Sequence, residues 1–196
     1  MAHTKGIANT NELFEGKLVR LAAPREDDAQ ALADWSHDAE YLRAVDTDFA
    51  LPISTEEAAR RFPGNDPNNV ALRIRTVQDD RLIGFVSIHS IEWNNRAALL
   101  AIGIGEREYR GRGYGTDALR LVLRYAFDEL NLLRLGLDVI SNNTAAIRTY
   151  EKVGFVHEGC MRRAVLRNGC HHDRLIMGLL RDEWQQRSAA LADGGS

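Results

Sequence analysis

Apolar positions along the chain alternate between two rhythms, and each change of rhythm marks an element. Lys17 to Leu21 reads as a short strand, and Pro24 to His37 sets Ala29, Leu32, Ala33 and Trp35 at helical spacing behind an acidic first turn. Ser54-Thr55-Glu56-Glu57 caps a second short helix that Pro63-Gly64 stops, and Asn65 to Asn69 follows as a polar loop. Val70 to Val77, Leu82 to Ile91 and Ala97 to Ile104 are apolar, β-branched runs. They are separated by Gln78-Asp79-Asp80-Arg81 and Trp93-Asn94-Asn95-Arg96, so they predict an antiparallel meander of three strands.

Helical spacing returns over Gly115 to Leu130, where Ala118, Leu119, Leu121, Val122, Leu123, Tyr125, Ala126 and Phe127 form the apolar side. Leu133 to Ile140 reads as a strand. Asn143-Thr144 opens a helix that runs through Lys152 and ends at Gly154, and Phe155 leads into the next strand. Asn168-Gly169 is a hairpin turn that pairs Val156 to Leu166 with Cys170 to Leu180. The order β-α-α-β-β-β-α-β-α-β-β contains no repeat or linker, and it predicts an α/β protein with one mixed (α+β) sheet spanning residues 13–184. Residues 1–12 and 185–196 are expected to be flexible tails.

Composition narrows the function classes. A chain of 196 residues with 44% hydrophobic residues fits a single core, and a formal net charge of -3 argues against a nucleic-acid-binding surface. The two cysteines, Cys160 and Cys170, make no disulfide framework, and a reducing cytosol is the expected compartment. No apolar stretch approaches the roughly 20 residues that span a bilayer, so no membrane partner is expected.

The chemistry lies in Arg110-Gly111-Arg112-Gly113-Tyr114-Gly115, between a strand ending near Gly105 and a helix. The first amides of a helix lack internal partners and sit at its positive end, so they accept an anion. Glycine at 111, 113 and 115 admits an oxygen close to the backbone, and Arg110 and Arg112 are expected to add charge, which suits a diphosphate. The spacing is not the dinucleotide fingerprint, and no Gly-Lys-Ser/Thr follows, so Rossmann and P-loop sites are disfavoured.

Arg110-x-x-Gly113-x-Gly115 resembles the signature of the GNAT superfamily of N-acetyltransferases. Asn143 to Phe155 is similar to that family's Asn-x-x-Ala-x-x-x-Tyr-x-Lys-x-Gly-Phe segment. The resemblance covers roughly Lys17 to Trp184 and leans toward the branch holding ribosomal-protein N-terminal (alanine/serine) acetyltransferases and spermidine acetyltransferases. It implies a mostly antiparallel sheet flanked by helices. Its fourth and fifth strands splay to admit the pantetheine arm of acetyl-CoA, and Gly103 and Gly105 are compatible with a bulge there.

By the same resemblance acetyl-CoA is the co-substrate and no metal is needed. Ile102, Gly103 and Ile104 polarise the acetyl carbonyl, the loop from Arg110 through Gly115 with Thr116 holds the diphosphate, and Asn143, Ala146 and Tyr150 meet the arm. Tyr150 is the expected general acid. Glu92 and Glu106 are candidate bases for the amine, although an exposed Glu is more often a solvated turn residue.

The expected acceptor is a primary amine, either a peptide N-terminus or a small molecule; Arg162, Arg163 and Arg167 are compatible with guiding an acidic substrate or with the edge of a homodimer, although a few arginines are usually a solvated face. Spermidine-acetylating relatives carry acids at the positions aligned with Ser90 and Ala98, which lowers the polyamine reading. A non-catalytic CoA-binding regulator and a nucleotide-phosphate-binding module are the rivals. Trp35, Tyr41 and Phe49 fall where the family builds a wall of the acceptor pocket, and core packing explains them equally well. Cys170-His171-His172-Asp173 alternates between strand faces, so its side chains do not converge on a metal.

Overall fold

A computed structural model of the chain describes residues 13–62 and 66–193. Seven strands form one sheet: β1 (Val19–Ala22), β2 (Val70–Thr76), β3 (Leu82–Glu92), β4 (Ala97–Ile104), β5 (Arg134–Ile140), β6 (Val156–Arg167) and β7 (Cys170–Leu180). Their spatial order is β1-β2-β3-β4-β5-β7-β6, and every neighbouring pair is antiparallel except β4 with β5. The predicted meander and closing hairpin are both present. Asn168 and Gly169 have φ of 51° and 75°, the paired left-handed residues of a two-residue hairpin turn. In that hairpin Cys170 lies opposite Arg167 and Cys160 opposite Leu175.

The two faces of the sheet bury different helices because successive side chains point to opposite sides. On one face α1 (Asp28–Trp35), α2 (Ala39–Val45) and α3 (Thr55–Arg61) bury Leu32, Trp35, Tyr41 and Ala58 against Phe85. The buried Asp28 carboxylate receives Arg73 and Arg75 of β2 and anchors α1 to the sheet. On the other face α4 (Tyr114–Arg124) and α5 (Thr144–Val153) cover Ile74, Val86, Ile88, Leu100, Leu135 and Met177. The helix expected over Gly115 to Leu130 continues past α4 as a wider π turn over Tyr125–Glu129.

Two helices exceed the expected order. α2 is a short helix capped by Asp38, whose Oδ1 accepts the Glu40 and Tyr41 amides at 3.0 and 3.2 Å. α6 (Arg181–Asp193) runs through most of the segment expected to be a C-terminal tail. The Trp184 ring sits 5.3 Å from that of Phe127, and Glu183 accepts the Leu180 amide at 3.0 Å, so both packing and a cap hold the helix start. The expectation of a tail over 1–12 lies outside the described residues.

The feature that positions the site is a split in the sheet. β4 and β5 pair only at Ala97 with Arg134, Ala98 with Leu135 and Leu99 with Gly136, and then diverge. Gly103 and Gly105 make no bulge here, since the register shift against β3 falls between His89 and Glu92. These glycines serve close packing instead. A Cβ on Gly103 would meet Tyr41, Val45 and Phe85, and one on Gly105 would overlap the Trp35 indole.

Candidate active site

Divergence of two parallel strands leaves backbone groups on both without a ladder partner. Gly105 N–H donates to Ile83 O at 2.9 Å, so by the alternation of an antiparallel ladder the amides of Leu100, Ile102 and Ile104 face away from β3, into the wedge. From Leu99 to Gly105 the strand rises about 20 Å at ~3.4 Å per residue. An extended chain with amide groups fits beside it.

The glycine-rich loop closes the wide end of the wedge. A single 3-10 turn, Arg107–Tyr109, leads into Gly111 and Gly113, whose φ of 71° and 92° lie in the left-handed region. The first bond of α4 runs from Asp117 N–H to Gly113 O at 3.0 Å, so the amides of Tyr114, Gly115 and Thr116 are left without helical partners. A Cβ added to Gly111 would meet nothing, so the loop presents open backbone to an anion. The Asp117 carboxylate points the other way, accepting the Leu18 and Val19 amides at 2.7 and 3.1 Å and so fastening β1 to this helix.

The charge expected from Arg110 and Arg112 is directed elsewhere. Arg110 turns inward, donating to the carbonyls of Ile104 and Gly105 and to Asp38 Oδ2 at 2.9 Å, with its guanidinium 5.0 Å from the Tyr41 ring centre. It thereby ties the loop to the start of α2. Burial works to raise the Asp38 carboxyl, but the Tyr41 amide, Arg110 and Arg107 outweigh it and hold the group below the usual carboxylate range. Arg112 donates to Glu108 O at 3.1 Å, and together with Tyr114 it lines a separate recess beside Lys17 and Thr76.

α5 supplies the other wall. The Asn143 side chain caps the helix by accepting the Ala146 amide at 3.2 Å, and its Nδ2 donates to Ala44 O at the end of α2 at 3.1 Å. Tyr150 lies about two turns further along the same side of the helix, its ring 5.9 Å from Phe155. Burial, reinforced by Asp138, pushes its hydroxyl up to about 12, so it stays protonated throughout the neutral range.

These parts meet in one cavity of about 1040 Å³ that runs through the split sheet. It is lined by Ile102, Gly103 and Ile104 of β4, by Arg110, Gly111, Gly113, Gly115 and Thr116, and by Asn143, Ala146 and Tyr150. The predicted bases are not among its walls. Glu106 accepts Trp35 Nε1 at 2.9 Å and Arg81 Nη2 at 2.7 Å, while Glu92 sits at the β3–β4 turn and accepts from Asn95. The cavity instead contains residues that the sequence pattern did not single out, among them His89 of β3 and Asp138 of β5.

The face opposite α5 is mostly apolar, formed by Leu42, Leu51, Phe62 and Phe85 with Tyr41. Its loop is held from the hairpin side. The nearly buried Arg167 donates to the carbonyls of Arg43, Asp46 and Asp48 at 3.1, 2.6 and 2.9 Å, and Arg174 donates to Thr47.

Residues 19–156 match the acetyltransferase (GNAT) domain family. The chain belongs to the GNAT acetyltransferases. Among the members of that family it is similar to is the putative ribosomal N-acetyltransferase YdaF of Bacillus subtilis, at 31% identity over 90% of this chain and 93% of that protein. Another is the spermidine N(1)-acetyltransferase of Vibrio cholerae, at 34% identity over 55% of this chain and 61% of the relative. The fold superposes on the structure of spermidine N-acetyltransferase from Vibrio cholerae in complex with CoA and spermine. That match has a TM-score of 0.76 at 24% identity and covers 90% of this chain and 99% of the other. As a GNAT acetyltransferase, the protein is a transferase of the N-acetyltransferase class. Among the described residues no helix is long and apolar enough to cross a membrane.

Proposed function

We propose that this enzyme moves an acetyl group from acetyl-CoA to a primary amine, carried on a peptide N-terminus or a small molecule, with Tyr150 as the general acid. The observation that carries the reading is Tyr150 itself, a half-buried and firmly protonated phenol that shares one cavity with the open amides of β4. The unpartnered helix amides of Tyr114 to Thr116 fit a diphosphate, and the amides of Leu100 and Ile102 fit an extended arm and its thioester carbonyl. The amine attacks that carbonyl as the carbon–sulfur bond breaks. Tyr150 donates its proton to the departing sulfur, an end that a phenol within reach can serve without a metal.

The acceptor side supports an amine borne next to an apolar group. Leu42, Leu51, Phe62 and Phe85 line it, and its carboxylates already have partners: Glu40 with Arg107 at 2.9 Å, Asp138 with Arg174 at 3.5 Å, and Asp46 with the amides of its own loop. A polyamine needs carboxylates free to face its ammonium groups, so this wall favours the peptide or small-amine acceptor.

The test follows free thiol while the enzyme is incubated with acetyl-CoA and an amine panel that includes Ser- and Ala-starting peptides and spermidine. Thiol release with peptides or apolar amines is expected. In Tyr150→Phe kcat should fall about 100-fold, with acetyl-CoA binding retained. Acetyl-CoA binding without transfer to any amine, unchanged by Tyr150→Phe, would favour a CoA-binding regulator, and spermidine as the preferred acceptor would overturn the acceptor assignment.

A further inference from the structure

The acceptor must lose a proton as its nitrogen bonds to carbon, and the two carboxylates on the β3–β4 turn and beside the loop do not line the cavity in which this happens. His89 does. It pairs with Leu99, and Leu99 pairs with Gly136, so His89 stands at the level where β4 and β5 begin to part. Two residues along β5, on the same face as Gly136, is Asp138.

The backbone is shaped around His89. The break in register between β3 and β4 begins at this residue, and the next one, Ser90, has φ of 51°, a left-handed conformation that a non-glycine residue rarely adopts. The Nδ1 of His89 lies 3.2 Å from Ser90 Oγ, and in the tautomer whose Nδ1–H donates to that oxygen, Nε2 is the ring nitrogen that takes a proton.

We infer that His89 is the proton acceptor for the attacking amine and that Asp138 stabilises the imidazolium that results. The inference rests on the acetyl-transfer reading above. The steps balance: the amine nitrogen bonds to the acetyl carbon, its proton passes to His89 Nε2, the carbon–sulfur bond breaks, and the sulfur takes the proton of Tyr150. The imidazolium then returns a proton to the Tyr150 phenolate through solvent, restoring both groups.

The electrostatic setting suits a base. Burial holds His89 below the usual histidine range, while Asp138 opposes that shift, so the ring is neutral at pH 7 and ready to accept. Asp138 is itself 3.5 Å from Arg174 of β7, which tempers its pull. The other charges lining the cavity are Glu40, Asp46, Arg61, Arg73, Arg110, Arg148 and Lys152.

The test is the pH dependence of kcat/KM for wild type, His89→Gln, His89→Ala and Asp138→Asn with one peptide acceptor. Thermal unfolding and acetyl-CoA binding confirm that each variant is folded. The wild type should lose activity on an acidic limb below pH ~6.5, because protonating His89 removes the base. In His89→Gln, kcat/KM at pH 7 should fall about 100-fold. His89→Ala should regain activity with added imidazole, which a purely structural role would not allow. Asp138→Asn should move the limb to lower pH, since it removes the charge that favours the imidazolium.

A His89→Gln enzyme that keeps wild-type kcat/KM and the same acidic limb would overturn the inference. If wild type transfers acetyl to no amine at all, the acetyl-transfer reading fails and takes this one with it, an outcome distinct from an active enzyme indifferent to His89.

Discussion

Gly105 shows how one missing side chain shapes a site. The Trp35 indole occupies the space a Cβ would need, and its Nε1 bonds to Glu106, so β4 and α1 are locked face to face where the wedge is widest. Gly105→Ala forces either the strand or the tryptophan to move. It should destabilise the protein by about 1–3 kcal/mol, read as a lower urea midpoint, and Trp35 fluorescence should report the displaced ring. At this scale the sequence was readable in position but not in direction. The motif singled out Arg110, yet nothing in Arg-x-x-Gly-x-Gly says that its guanidinium folds back onto Ile104, Gly105 and Asp38 rather than toward an anion. Nor does spacing reveal His89, because its neighbour Asp138 is joined to it only through the pairing of three strands.

Among the elements, those with a clear period or a turn signal were legible: the meander, the amphipathic helix after the loop, the Asn143-to-Gly154 helix and the closing hairpin. α2 was not, because it is short and its order comes from contacts distant in sequence. Arg110 grips its cap, Asn143 the Ala44 carbonyl of its last turn, and Arg167 both that turn, through Arg43, and the chain that follows, through Asp46 and Asp48. α6 has no apolar stripe that periodicity could detect. Its good helix formers, together with Glu183 reaching back to the Leu180 amide, were the available signal. Arg167 gives this scale its prediction. Arg167→Met keeps the aliphatic stem but removes the donors to Arg43, Asp46 and Asp48, so the loop that carries Leu51 loosens. The acceptor KM should rise several-fold while the affinity for acetyl-CoA, measured by calorimetry, stays as in wild type, because the diphosphate loop is held by other residues. A parallel loss of acetyl-CoA affinity would show that the guanidinium supports the whole fold instead.

Over the whole molecule, β1 to β4 form one half-sheet and β5, β7 and β6 the other, and three residue pairs join them. The order of elements along the chain was visible in the sequence, and the resemblance implied that the fourth and fifth strands splay, whereas the register at which they part was not, since register between parallel strands depends on helices packed across both. Hydrogen exchange tests its importance. Adding acetyl-CoA should slow exchange at the Leu100 and Ile102 amides, and at Leu137 to Ile140 across the split, more than at Ile74 or Ile83 deep in the first half. Uniform slowing across the sheet would indicate stabilisation without any local bridging.

The short join also has a mechanical meaning. A sheet resists shear through its ladder, and here the ladder is interrupted between the half that carries the acceptor-side helices and the half that carries Asp138 and the base of α5. On the acetyl-transfer reading, the donor substrate would thus be a structural member as well as a reactant. It should brace two plates that otherwise pivot on a narrow strip, so discharge of the acetyl group and departure of the thiol would also relax the frame that holds the amine.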